Sequence, residues 1–362
     1  MNGEVPMLQQ KGTITFNEIS QQPEVWQDII RIMNEKRQEL AAWFRQEAFA
    51  QVLYMGAGSS YCAAMSCARS FISLTGATSF AFPSIDVFAS KKLPYDDRRK
   101  SLLVVFSRSG QTTETIWAID RIKEQSKNTK IMVICPHKES EMIAKADFPI
   151  VIEKAKEEAV MSTKAFTSFL FASKLFIGIL MQNMNFLNEL TKVPTMLDVK
   201  KYQIEMQKIS SGKFLNVIFG GDGPYYGLAA ASSLLVKGMS TTASDAYHTL
   251  ELRHGNAAHC NQQTLVVIYA TDALKKGEGV VVGELAALKS PRMVICEEAD
   301  SRLGLSDHVY QLKSGLSEYS RDMLMIPIVQ LLSFYLCIAK GYNPDKPKHI
   351  VDIVKWKEPF YQ

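Results

Sequence analysis

The sequence predicts an α/β protein: two doubly wound parallel-sheet domains in tandem, preceded by a helical segment and followed by a short tail. Three observations predict this. Short apolar, β-rich runs alternate with longer helical stretches, which implies parallel strands with helices on both faces. The alternation occurs twice, and the second round repeats the first in order. A chain of 362 residues is also too long for one average core, so two domains are expected.

Taken in order, residues 24 to 45 place Trp26, Ile29, Ile30, Met33, Leu40, Trp43 and Phe44 at helical spacing and predict one amphipathic helix. The runs QVLYM, SLLVVFS, KIMVICP and FPIVIE then read as strands, separated by helical segments such as TTETIWAIDRIKEQ. The segment FTSFLFASKLFIGILMQNM reads as a core helix, one face of which suits a domain or dimer interface. In the second half LNVIFGGDG resembles VLYMGAGSS, TLVVIYATD resembles SLLVVFSRS, and RMVICEEADS resembles IMVICPHKES. These align Gly58 with Gly223, Ser107 with Ala270 and Cys135 with Cys296 at nearly one offset, the mark of a duplicated unit. The expected boundaries are a helical segment 1–45, a first domain 46–190, a second domain 191–340 and a tail 341–362.

Composition narrows the class of partner. Hydrophobic residues make up 47% and charged residues 22%, as in an ordinary globular protein. The net charge of +4, from 41 basic and 37 acidic residues without a basic run, argues against a nucleic-acid partner. No uninterrupted apolar stretch reaches the ~18 residues of a membrane span, so no membrane partner is expected. The opening MNGEVPMLQQKGTITF lacks the charged-then-apolar pattern of a secretory signal. The six cysteines are scattered without a C-x-x-C, which suits buried, reduced thiols and a cytoplasmic location.

The chemistry lies in the loops, because ligands of doubly wound sheets bind where the chain leaves the carboxyl ends of the strands. After SLLVVF the chain reads Ser107-Arg108-Ser109-Gly110-Gln111-Thr112-Thr113, and a helix starts within it. Glycine permits a tight turn, the helix start offers unpaired N–H donors, the hydroxyls add more, and Arg108 adds charge. A helix N-cap accounts for one such hydroxyl, not for Ser107, Ser109, Thr112 and Thr113 together. Gly56-Ala57-Gly58-Ser59-Ser60 and Val160-Met161-Ser162-Thr163-Lys164 have the same character at neighbouring junctions. Three such loops converging on one ligand describe a phosphate site. In the second half the first of these loops becomes Ala270-Thr271-Asp272, where a carboxylate repels phosphate, so one site per chain is expected.

The order GAGSSY, SRSGQTTET, STKAFTS, ELRHG closely resembles tandem SIS (sugar isomerase) proteins, whose domains are flavodoxin-like. The similarity is to the isomerase part of glucosamine-6-phosphate synthase, to fructosamine-phosphate deglycases and to amino-sugar-phosphate isomerases and deaminases. It implies that a sugar phosphate contacts Ser59, Ser60, Ser107, Arg108, Ser109 and Thr112, with Val160 and Ser162 lining the rest of the pocket. It implies no cofactor and no metal. It also implies a homodimer, in which His254 of Glu251-Leu252-Arg253-His254-Gly255 assists ring opening in the neighbouring subunit's site.

The chain departs from that pattern at the catalytic positions. The family's glutamate, sixteen residues before the histidine, falls on Gly238, and glycine carries no proton. A family lysine falls on Leu235, a second acidic position on Ala231, and the C-terminal lysine on Asp352, with Lys355 nearby. Two readings stay open: an isomerase, deaminase or deglycase whose base is Glu251, Asp245 or a partner residue, or a non-catalytic sugar-phosphate sensor. His254 also has the plain reading of a capping residue, and His248, Glu251 and His254 lack the H-E-x-x-H of a zinc site. A dinucleotide site is disfavoured because Tyr61 stands where the third glycine of G-x-G-x-x-G belongs.

Overall fold

The computed structural model describes residues 11–358; the opening segment read above for a signal pattern falls largely outside the described residues. The elements run α1 (Thr13–Ser20), α2 (Gln22–Glu35), α3 (Arg37–Glu47), β1 (Gln51–Gly56), α4 (Ser59–Thr75), β2 (Ser79–Pro83), β3 (Ser101–Phe106), α5 (Thr113–Gln125), β4 (Thr129–Cys135), α6 (Glu141–Ala144) and β5 (Phe148–Val151). They continue with α7 (Lys164–Leu180), α8 (Met184–Met196), α9 (Val199–Ser210), β6 (Asn216–Gly221), α10 (Tyr225–Ser240), β7 (Ala243–Tyr247), β8 (Thr264–Tyr269), α11 (Lys275–Ala287), β9 (Arg292–Cys296), β10 (His308–Gln311) and α12 (Glu318–Ala339).

The strands form two five-stranded, wholly parallel sheets, ordered β2-β1-β3-β4-β5 and β10-β9-β8-β6-β7. Read from the matching ends, the two orders are the same, as the matched halves of the sequence predict. The correspondence extends to single atoms. A Cβ on Gly56 would lie 2.6 Å from the backbone of Ser60, and one on Gly221 would lie 2.5 Å from the backbone of Tyr225. Each sheet therefore turns into its first helix so closely that only glycine fits.

One prediction differs in detail. The single helix expected over 24–45 is two, α2 and α3, meeting at Lys36. No apolar residue lies between Met33 and Leu40, so no buried contact holds the chain straight there. Trp26, Ile29 and Met33 are buried on one side of the break, Leu40 on the other.

The longest helix, α12, is apolar and long enough to cross a membrane, yet 89% of its apolar window is buried inside the protein. It runs beside α7, and the two are joined by Lys174 and Asp322, whose charged atoms lie 2.7 Å apart with side chains 2% and 0% exposed. Burial raises the Asp322 carboxyl above its ordinary range, and the Lys174 ammonium opposes that rise. All six cysteines are buried and unpaired.

The sheets are brought together by α4 and α10. A Cβ at Gly227 would stand 2.6 Å from the Cys62 carbonyl oxygen and 2.6 Å from the Ser66 backbone nitrogen. The helices touch backbone to backbone at this crossing.

Two predictions follow from this packing. Gly227→Val is expected to cost more than the ~1–3 kcal/mol of ordinary overpacking, because backbone rather than a side chain has to move; urea unfolding measures it. Lys174→Met is expected to cost ~3–5 kcal/mol by leaving a buried carboxylate alone, with Asp322→Leu added to it restoring most of the loss.

Candidate functional site

The loops after β1 and β3 leave opposite sides of the point where strand order reverses, and the chain before α7 closes the gap between them. They enclose a cavity of about 340 Å³. Ser59, Ser60, Arg108, Ser109, Thr112, Val160 and Ser162 all line it. Seven of the ten residues singled out from the sequence are thus brought together.

Each loop has an internal reason for its shape. Ser107 is buried, and its Oγ accepts a hydrogen bond from Gly110 N–H at 2.9 Å, so it shapes the loop rather than lining the cavity. Gly110 adopts φ +65°, and a side chain there would overlap Ser140. Ser109 Oγ accepts from Gln111 N–H at 3.1 Å. The loop before α7 is held from three sides. Glu18 of α1 accepts from Glu158 N–H, Glu157 accepts from the Thr163 N–H and hydroxyl, and Gln330 of α12 donates to the Thr163 carbonyl. Burial pushes the Glu18 carboxyl up to about 7, with nearby Glu157 adding to the rise. The Ser162 hydroxyl, buried at the cavity wall, has no hydrogen-bond partner within the protein. A buried hydroxyl left unpaired carries a desolvation cost that a hydrogen-bond partner would offset.

Arg108 is engaged differently from the expectation of a free cation. Its guanidinium donates to the carbonyls of Ala159 and Val160, to the Asp352 carbonyl at 2.7 Å, and to the Asp352 carboxylate. The tail is thereby drawn across the mouth, where Ile350, Val351, Asp352 and Val354 join the lining. Val354 C=O accepts from Thr113 N–H at the start of α5, and Trp356 donates from its indole to Glu114 at 3.1 Å. Lys355, the basic residue nearest the family lysine position, faces a separate depression with Gln111, Thr113 and Glu141.

The second sheet contributes the far wall through α10: Ala231, Ser232, Leu234 and Leu235. Ala231 and Leu235 are positions where the resemblance places family catalytic residues, whereas nothing in the sequence singles out Ser232 and Leu234, because no motif marks such residues as cavity lining. Glu251 and His254 do not line the cavity of their own chain; both are exposed, at a 3-10 turn over Thr249–Arg253. His248 pairs instead with Asp222 at 3.2 Å and stacks on Tyr226, with ring centroids 4.3 Å apart.

The matching loop of the second sheet is filled by its own carboxylates. Asp272 meets the buried guanidinium of Arg321 at 2.5 Å, and its N–H donates to Glu318. Glu278 accepts from both the N–H and hydroxyl of Thr271.

With this geometry in view, residues 47–178 match the SIS domain family. The chain is 28% identical to glutamine–fructose-6-phosphate aminotransferase (isomerizing) of Caldanaerobacter subterraneus over 296 residues, 76% of this chain and 48% of that protein. It is 26% identical to the same enzyme of Aliivibrio fischeri over 324 residues, 84% of this chain and 51% of that one. The chain spans about half the length of these relatives. Among solved structures, glucosamine-6-phosphate deaminase from Thermotoga maritima superposes with a TM-score of 0.76 at 25% identity, covering 94% of this chain and 99% of that one. The C-terminal domain of glucosamine-fructose-6-phosphate aminotransferase from Francisella tularensis gives a TM-score of 0.81 at 24% identity, covering 92% and 98%. Residues 47–178 are thus similar to the SIS domain family, and the two-sheet architecture is an SIS-type fold.

Glu278 provides a pH prediction. Burial raises its carboxyl to about 8, offset in part by the Thr271 donors. The folded state then binds a proton that the unfolded state releases near 4.5, so this group's stabilisation is complete below pH 4.5 and falls until about 8. Thermal unfolding across that range is expected to show the decline, and Glu278→Gln to flatten it.

Proposed function

We propose that this chain binds a sugar phosphate in the cavity and acts on amino-sugar or fructosamine 6-phosphates, as an aldose–ketose isomerase, deaminase or deglycase. The observation that carries the reading is the convergence of three hydroxyl-bearing loops on one cavity, with the Ser162 hydroxyl left unpaired. Hydroxyls and a helix start suit a phosphate dianion. The similarity to an enzyme named as acting on fructose 6-phosphate and to a glucosamine-6-phosphate deaminase supports the same substrate class.

Proton transfer between neighbouring sugar carbons needs a base within reach. The two carboxylates on the cavity wall are both engaged, Glu114 by Trp356 and Asp352 by Arg108. The exposed positions of Glu251 and His254 accord with their serving the site of a second copy in a homodimer. The second reading, a non-catalytic sugar-phosphate sensor, is favoured by Gly238, where the space for a side chain is taken by Met161.

Thermal stabilisation by a panel of sugar 6-phosphates tests binding, with ~2.7 kcal/mol expected at a hundred times Kd. Hydrogen exchange at C1–C2 in heavy water then separates enzyme from sensor. Ser109→Ala and Ser162→Ala are expected to weaken binding ~10-fold each, mainly in KM, since the phosphate is held alike in ground and transition states. Asp352→Asn is expected to tighten it severalfold, by freeing Arg108 from a competing carboxylate. Absence of binding by every sugar phosphate refutes the proposal.

A further inference from the structure

We propose that Glu18 and Glu157 are positioning residues of the cavity. One proton shared between them makes a hydrogen bond that fixes the loop presenting Val160 and Ser162 to the ligand. The proposal rests on the sugar-phosphate reading of the cavity and adds what sets the shape of its third loop.

The two carboxyls anchor the loop at two points. Glu18 Oε1 accepts from the N–H of Glu158 at 2.6 Å and, more weakly, from that of Ala159 at 3.5 Å. Glu157 Oε1 accepts from the Thr163 N–H at 2.6 Å, the Thr163 hydroxyl at 2.9 Å and the Ala165 N–H at 3.2 Å. The three residues between these anchors, Val160, Met161 and Ser162, all line the cavity. Arg108 meets the same stretch through the carbonyls of Ala159 and Val160.

Each acid spends one oxygen on this task and has one left over. Glu18 Oε2 and Glu157 Oε2 are both buried and have no hydrogen-bond partner within the protein. As two carboxylates they are like charges with two unsatisfied acceptors, which is unfavourable on both counts. A carboxylic acid can donate where a carboxylate only accepts. One proton on Glu18 therefore removes the repulsion and turns one spare oxygen into a donor for the other.

The surroundings of Glu18 act in the same sense. Burial and then Glu157 favour the proton, Lys164 of α7 opposes it, and the carboxyl is pushed up to about 7. Lys164 is itself engaged by Gln21 at 2.8 Å. Of the other elements packed on α1, α12 presents the neutral Gln330 at the Thr163 carbonyl, and the tail presents Asp345, held by the Thr15 N–H and hydroxyl. Because the two acids are coupled, the titration belongs to the pair. Loss of the proton leaves the anchors repelling each other across the three lining residues, and the fit of the loop to a ligand is lost with it.

The test is calorimetric titration of the full chain with fructose 6-phosphate and the other esters of the panel over about pH 6 to 9, beside Glu18→Gln. Glutamine supplies the donor permanently and does not titrate. Ionisation of the ester and of Glu278 acts alike in both proteins, so the ratio of the two affinities isolates the pair. The pair holds its proton below about 7 and loses it above. Wild type and variant are therefore expected to bind alike at low pH, with wild type ~5-fold or more weaker by pH ~9. Should Glu18→Gln not fold, Glu157→Gln supplies the same donor from the other side and is expected to abolish the fall likewise. A ratio constant across pH, a uniformly weaker variant included, marks the two acids as ordinary structural contacts. That result overturns this proposal and leaves the phosphate site standing. Failure of every ester to bind at any pH overturns both.

Discussion

The site depends on the backbone contact between α4 and α10. Gly227 lets the second helix lie directly on the Cys62 carbonyl and the Ser66 amide of the first. α4 begins at the loop after β1, so this contact also sets how far the second sheet's residues reach toward the first sheet's loops. Ala231 and Leu235, one and two turns beyond Gly227, then become cavity wall. A larger residue at the crossing would part the two sheets and open the cavity between them. The Lys174–Asp322 pair works in the same direction, tying α7 to α12 where no water can compete. Such a pair adds little net stability but penalises any arrangement that separates its members.

Within this frame the two halves of the molecule have diverged at equivalent places. The first sheet keeps hydroxyls at the end of β3, supported by Ser107 and Gly110. The second puts Asp272, Glu278 and Glu318 around Arg321 and Thr271. The buried Arg321 is ion-paired with Asp272, so an anion from outside would meet carboxylates already in place. On the proposed reading, the same scaffold leaves one site for phosphate and closes the other with internal charge.

The open site is itself partly occupied by its own chain. Arg108 bridges the Val160 loop and the tail, and a tail carbonyl meets the start of α5. These are the donors a phosphate oxygen would use, so ligand entry and tail position are coupled through shared hydrogen-bonding groups.

Strand runs, helix alternation and hydroxyl loops are local patterns, and the sequence by itself determined them: strands announce themselves by β-branched runs, and the loops by glycine and serine at strand ends. The duplication was legible for the same reason, as matched runs such as VLYMGAG and VIFGGDG. The break at Lys36 was not, because it reflects the absence of buried contacts rather than any breaking residue. Nor was the engagement of Arg108 by Asp352, or the filling of the space beside Gly238 by Met161. Both join residues far apart in sequence, the first a loop to the tail, the second the two halves of the chain. Which hydroxyls can meet one ligand follows from topology; which charges remain available, and what fills an empty corner, follow from packing, and only the tertiary structure decided them.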